Sequence, residues 1–191
     1  MKDIKSKIYG ILEYNKNLMV YSLVIFMISI FLGFLSYENL ADKIPSMIER
    51  AFSGVIVKNS QFMTFVNIMT RNLWITFITV ILGITLIVPV IILFSNGFAA
   101  GLILMYVYSQ GVSIQKLILG VIPHAIFEIP AFVITSSIGI RIGISIFSKG
   151  KRIASIIKSL KDAVLVYIIV IIPLVILAAF VETYISAAVF T

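Results

Sequence analysis

A chain of 191 residues that is 61% hydrophobic, 12% charged and free of cysteine is too apolar for an ordinary soluble domain. It also has no means of forming a disulfide, a thiolate metal site or a cysteine nucleophile. The formal charge of +7 would suit nucleic acid in a soluble protein, but here the basic residues flank apolar stretches. That pattern points to orientation in a membrane and to anionic lipid, and excludes nucleic acid as a partner.

The composition predicts an all-α fold: one domain over 1–191, a polytopic transmembrane helical bundle of about five spans with its N-terminus inside. Residues 1–17 carry Lys2, Lys5, Lys7 and Lys16, while Ile4, Ile8, Ile11 and Leu12 recur at helical spacing. This suits a short amphipathic helix on the cytoplasmic surface. The first span is predicted from Leu18 to about Ser36, a retained anchor with Tyr37 at the interface and no signal-peptide cleavage pattern after it.

A polar stretch over 37–71 follows and reads as an extracytoplasmic helical loop. Ile44, Ile48, Ala51, Phe52 and Val55 form one amphipathic face, and Phe62, Phe65, Val66 and Met69 a second, with Ser60 placed as N-cap. Both are expected to lie on the outer membrane surface or to cap the bundle, with a docking surface for an extracytoplasmic partner as the sharper reading.

The second span is predicted from Asn72 to about Phe94, kinked at Pro89, with a cytoplasmic hairpin at Ser95-Asn96-Gly97. Gly97 and Gly101 form a GxxxG spacing that lets another helix approach closely. The third apolar run ends near Tyr106 and Tyr108; a full span is expected, with a re-entrant pair around Gly111 as the alternative. The fourth span, about Leu119 to Gly139, ends at Arg141 and Gly143. A basic cytoplasmic loop over 148–161 carries Lys149, Lys151, Arg152, Lys158 and Lys161. The fifth span is predicted from Ala163 to Val181, with Pro173 mid-way and Glu182 at its end. With the N-terminus inside, ten of the fifteen Lys and Arg lie on the cytoplasmic side, leaving Lys43, Arg50, Lys58, Arg71 and Lys116 outside. A multi-pass protein of the cell membrane follows.

The chemistry concentrates in Leu119–Gly143, LGVIPHAIFEIPAFVITSSIGIRIG, which holds the single histidine, a glutamate and two prolines in an otherwise apolar span. His124 and Glu128 are four residues apart, so a helix stacks them on one face. An ionised residue at mid-span costs about 2.5–3.5 kcal/mol on the insertion scale, so it faces protein or water rather than lipid. Pro130 cannot donate to the Ile126 carbonyl, and a kink beside Glu128 is expected.

At about 1.5 Å per residue, His124 lies roughly 6–8 Å and Glu128 roughly 12–14 Å below the outer boundary. Glu182 and Asn72 come to a similar level, giving an intramembrane cluster of His124, Glu128, Glu182 and Asn72. Arg141 is expected at the inner boundary near the Asn96 hairpin, capping carbonyls or snorkelling.

Three readings of that cluster stand open. It is a hydrogen-bonded polar core around which partners assemble, or it lines a proton, ion or small-solute path. The third, a catalytic metal on His124, Glu128 and Glu182, lacks an HExxH and a second histidine. No G-x-S-x-G surrounds Ser136 and Ser137, so a serine hydrolase has no support, and no cofactor is expected. The glycine pairs Gly97/Gly101 and Gly139/Gly143 are expected mainly at intrachain contacts, with a homodimer as the alternative.

The segment PHAIFEIPAFVITSSIGIRIG resembles the signature of the stage II sporulation protein M family. The matching positions are Pro123, His124, Glu128, Pro130, Gly139, Arg141 and Gly143, joined by Asn72, Asn96, Gly97, Gly101 and the Val181-Glu182-x-Tyr184 stretch. The tail departs from the family pattern, with Ile185-Ser186-Ala187 where Thr-Pro is usual. The resemblance implies a small integral membrane protein that acts without catalysis as a scaffold or assembly subunit of a membrane complex. In spore formers it implies assembly with peptidoglycan-degrading partners during engulfment of the forespore. Relatives in organisms that do not sporulate suggest that the scaffold role, rather than sporulation, carries over. Its expected partners are membrane lipid, other membrane or extracytoplasmic proteins, and a second copy of the chain.

Overall fold

The computed structural model describes residues 2–148 and 152–189, and every regular element among them is helical. Five helical stretches are long and apolar enough to cross a membrane: Asp3–Leu35, Gln61–Thr85, Ile87–Ser109, Ile114–Ser145 and Arg152–Val189. The elements are α1 (Lys2–Leu35), α2 (Tyr37–Leu40), α3 (Ile44–Phe52), α4 (Gln61–Ile81), α5 (Ile87–Ser109), α6 (Ile114–Ser145), α7 (Arg152–Val166) and α8 (Ile172–Val181).

Several boundaries differ from the sequence reading, each for a local reason. The amphipathic 1–17 segment is not a separate helix. No proline or turn residue cluster separates it from the first span, and α1 runs unbroken for 34 residues, about 51 Å. The outer loop is shorter than 37–71. Ser60 does cap a helix, accepting from the Met63 amide at 3.2 Å, but that helix continues through Phe65 and Met69 into the span itself.

The largest difference is the inner hairpin. It lies not at Asn96 but at Leu82–Leu86, a 3₁₀ turn over Leu82–Thr85 followed by Leu86 at φ 65°. The Thr85 hydroxyl oxygen accepts from the Val88 amide at 3.2 Å, capping α5. Pro89 then sits in the first turn of α5, where its missing N–H would have had no partner anyway. It is therefore a helix-start residue rather than a mid-span kink. The third run is a full span over Ile87–Ser109, and the Asn96-Gly97 pair lies inside it.

Part of the predicted 148–161 loop is also helical. Arg152, Lys158 and Lys161 belong to α7, which leads without a break into the fifth span; Lys149 and Lys151 lie outside the described residues. A π-helical turn at Tyr167–Ile171 precedes Pro173. Pro173 has no N–H for the Ile169 carbonyl, and the wider turn accommodates that gap.

The bundle is built around α6. Every residue from Ala131 to Gly139 is buried, and α1, α4, α5, α7 and α8 all pack against this helix. A helix buried on every side over Ala131–Gly139, with only apolar and small hydroxyl side chains there, lies at the centre of the bundle. Its prolines, Pro123 and Pro130, lie inside one continuous helix.

Both glycine pairs are intrachain contacts. Gly97 and Gly101 receive the α1 backbone: a Cβ on Gly97 would come within 2.8 Å of the Phe26 carbonyl oxygen, and one on Gly101 would overlap the carbonyl of Ile30. The register is parallel, and Tyr37 closes it by donating to the Ser109 hydroxyl at 2.7 Å. Gly139 and Gly143 receive the inner hairpin: a Cβ on Gly143 would lie 2.6 Å from the Gly83 carbonyl oxygen.

Candidate functional site

α4 and α5 meet at the Leu82–Leu86 turn and make few contacts beyond it, while α6 lies behind both. The opening between them is a cleft of about 340 Å³ facing the end of the bundle that carries α3. Its walls are largely apolar, from Ile75, Ala100, Ile103 and Val121, and six polar side chains enter it: Arg71, Asn72, Asn96, His124, Glu128 and Glu182.

α6 supplies the centre. The four-residue spacing sets His124 Nε2 4.0 Å from Glu128 Oε2, with the two side chains 16% and 30% exposed. The other ring nitrogen, Nδ1, shares a hydrogen bond with the Ser186 hydroxyl at 3.0 Å, which fixes the imidazole plane. α4 brings Asn72, whose Nδ2 donates to Glu128 Oε1 at 3.5 Å. Glu182 lines the same cleft from the start of a second π-helical turn, Glu182–Ser186. That turn packs on α6 and aims both Glu182 and Ser186 at it. The four residues read from the sequence as one cluster therefore share one cleft.

The remaining predicted positions separate. Asn96 is not at a cytoplasmic turn: its amide donates to the Ile92 carbonyl at 2.8 Å inside α5, and its side chain faces the His124 cleft. Arg141 is consequently not its neighbour. The Arg141 guanidinium donates to Asn15 Oδ1 at 2.9 Å and to the Tyr14 carbonyl at 3.3 Å, and stacks over the Tyr14 ring at 4.3 Å. It joins α6 to α1 at the opposite end of the bundle. Pro123, Pro130, Gly139, Gly143, Gly97 and Gly101 are packing positions on α6 and α5, as described above.

Arg71 and Ser186 were not singled out from the sequence. Arg71 donates to the Ala51 carbonyl at the end of α3 at 2.5 Å and roofs the cleft. Its signal was visible: it stands one residue before Asn72, but reading 37–71 as a loop placed it in solvent. Ser186 had no signal, since its partner is 62 residues away.

Chemically, the cleft offers two carboxylates, an imidazole, a guanidinium and two amides within an apolar wall. Among the described residues no group of three His, Asp or Glu is disposed to hold a metal ion. The set is suited to hydrogen bonding and ion pairing with something that enters between α4 and α5.

The side chains lining the cleft reach as deep as Ile75, Asn96 and Glu128. Below it, Ala131, Ile134 and Ile138 of α6 pack with Val80, Val166, Ile171 and Val175 in one core. Phe26, Leu93 and Phe132 form a second core. Of the buried hydroxyls at this level, those of Thr79, Thr135 and Ser137 donate to carbonyls of their own helices, at 2.7, 2.6 and 2.8 Å, and that of Ser136 has no partner.

Comparison with known proteins agrees with the motif. The chain is 28% identical over 176 residues to an uncharacterised protein of Methanocaldococcus jannaschii, covering 90% of this chain and 95% of that one. No solved structure matches. The sequence profile described as stage II sporulation protein M matches residues 22–187, which include α4, α5, α6 and every polar residue of the cleft. This membrane protein belongs to the stage II sporulation protein M family.

Proposed function

We propose that the protein is a non-enzymatic assembly subunit of a membrane complex and that the α4–α5 cleft is where a partner is held. The observation that carries this reading is a cleft open at one end and closed at the other. The glycine-to-backbone contact at Gly83, Gly139 and Gly143 and the close packing around Ile134 and Ile138 close its inner end. A conducting path needs polar groups from face to face, whereas an anchoring site needs only a sheltered set of them, which is the arrangement here. A polar or charged side chain on a partner's span, costly in lipid, would be paired by Glu128, Glu182 or Arg71.

Placement in the cell membrane with the N-terminus inside is part of the same reading and rests on charge. The corrected hairpin at Leu82–Leu86 carries no Lys or Arg, so the ten-to-five inward bias of basic residues is unchanged. The cleft then opens outward, beside α3.

A photoreactive side chain in place of Ala100, on the cleft wall, tests the partner site in native membranes. Discrete adducts that fall about tenfold when Glu128→Gln is added support the reading. An absence of adducts in membranes from the source organism sinks it. The transport alternative is tested separately, by flux.

A further inference from the structure

At the other end of the bundle, α1, α6 and α7 enclose a second cavity of about 200 Å³. Each helix gives it one face. α7 contributes Ser155, Lys158, Ser159 and Asp162, spaced i, i+3, i+4 and i+7, so its polar stripe looks into the cavity. Arg141 enters from α6, and Tyr14 with Asn15 from α1.

Two cations converge there on one ring. The Arg141 guanidinium carbon is 4.3 Å, and Lys158 Nζ 6.0 Å, from the centre of the Tyr14 ring. Among the described residues the only ion pairs are Lys16–Glu13 and His124–Glu128, so no carboxylate neutralises either charge. Asp162 lines the same cavity outside ion-pair distance of both. Asn15 and the Tyr14 carbonyl fix two of the guanidinium donors of Arg141. The rest of its five-donor fork is left for a ligand.

We propose that this inner cavity binds a phosphate group, either the headgroup phosphate of a membrane phospholipid or a free phosphate ester. Arg141 and Lys158 clamp it and the α7 hydroxyls donate to its oxygens. Two like charges held near one ring repel, and an anion in the cavity that both line offsets that repulsion. The site lies beside the inner ends of the spans, where Arg141 and the basic residues of α1 and α7 fall, and Ile11, Ile138 and Ile144 give it an apolar side for an acyl or glycerol portion. Asp162 faces the same space and opposes a bare phosphate.

The full chain, purified in a nonionic detergent, is titrated with phosphatidylglycerol in mixed micelles and, separately, with inorganic phosphate. Loss of one cation at an anionic site is worth a factor of about five. Lys158→Gln is therefore expected to weaken binding about fivefold and Asp162→Asn to strengthen it by a similar factor. Lys161→Gln, exposed one turn away and outside the cavity lining, is expected to change nothing.

Binding of phosphatidylglycerol without inorganic phosphate assigns the lipid as source, and comparable binding of both assigns a free phosphate ester. The proposal is overturned if neither probe binds, or if Lys158→Gln leaves the affinity unchanged. It is equally overturned if Lys161→Gln weakens binding as much, which would make the site a general basic surface. Lys158 is the decisive position because its ammonium makes only the ring contact, whereas Arg141 also ties α6 to α1.

Discussion

A missing Cβ decides more in this molecule than any single polar side chain. Gly83 and Gly139 touch backbone to backbone: a Cβ on Gly83 would stand 2.5 Å from the Gly139 carbonyl oxygen and 2.6 Å from its Cα. Backbone cannot move aside as a flexible side chain can, so Gly83→Ala is expected to cost about 1–3 kcal/mol, as overpacking does elsewhere. Gly10, in the middle of α1, has nothing within 4 Å of the same added atom. There the substitution only reduces the conformational freedom of the unfolded chain, and Gly10→Ala is expected to stabilise by about 0.5–1 kcal/mol. Thermal unfolding of the two variants in detergent should therefore move in opposite directions. Equal shifts would mean that the hairpin does not rest on α6 as described. Composition cannot separate these two glycines, since what distinguishes them is a residue 56 positions away in one case and open space in the other.

Among the helices, α4 and α5 show how an apolar sequence conceals its turns. From Leu73 to Met105, Asn96 and Ser95 are the most polar residues, and a reading based on polarity puts the hairpin there. The chain instead turns at Leu82–Leu86, where Gly83 permits the close approach and Thr85 caps the next helix. Asn96 needs no solvent because the Ile92 carbonyl and the cleft take its side chain. The native chain has no cysteine, so single introduced thiols report cleanly on this difference. Ile84→Cys, 52% exposed as isoleucine, is expected to react with a membrane-impermeant maleimide from the cytoplasmic side of inverted vesicles. Asn96→Cys, half-buried within the span and facing the cleft at the other end, is expected to react at least tenfold more slowly from that side. Equal rates would return the hairpin to Asn96.

For the molecule as a whole, the consequence of surrounding α6 with four other spans is that its two polar ends face separate cavities. His124 and Glu128 serve the outer cleft, Arg141 the inner cavity, and the buried Ala131–Gly139 stretch separates them. Proteoliposomes containing the chain are accordingly expected to pass protons and sodium no faster than empty vesicles, with Glu128→Gln indistinguishable from wild type. A flux that Glu128→Gln abolishes in a folded protein would replace the assembly reading with transport.

The sequence by itself determined the class and the core of the site. Its long apolar runs can satisfy their backbone only as helices in lipid, and the four-residue spacing of His124 and Glu128 puts both on one face whatever surrounds them. The count of five spans and the N-cap at Ser60 were legible for the same reason, because each is a local pattern. Tertiary structure decided which helix is central, where α4 turns into α5, that Asn96 joins His124 rather than Arg141, that Arg71 enters the cleft, and that Ser186 holds the His124 ring. Those outcomes depend on contacts between residues tens of positions apart, set by close backbone approach at Gly83, Gly97, Gly101, Gly139 and Gly143, and no property of a short window records them.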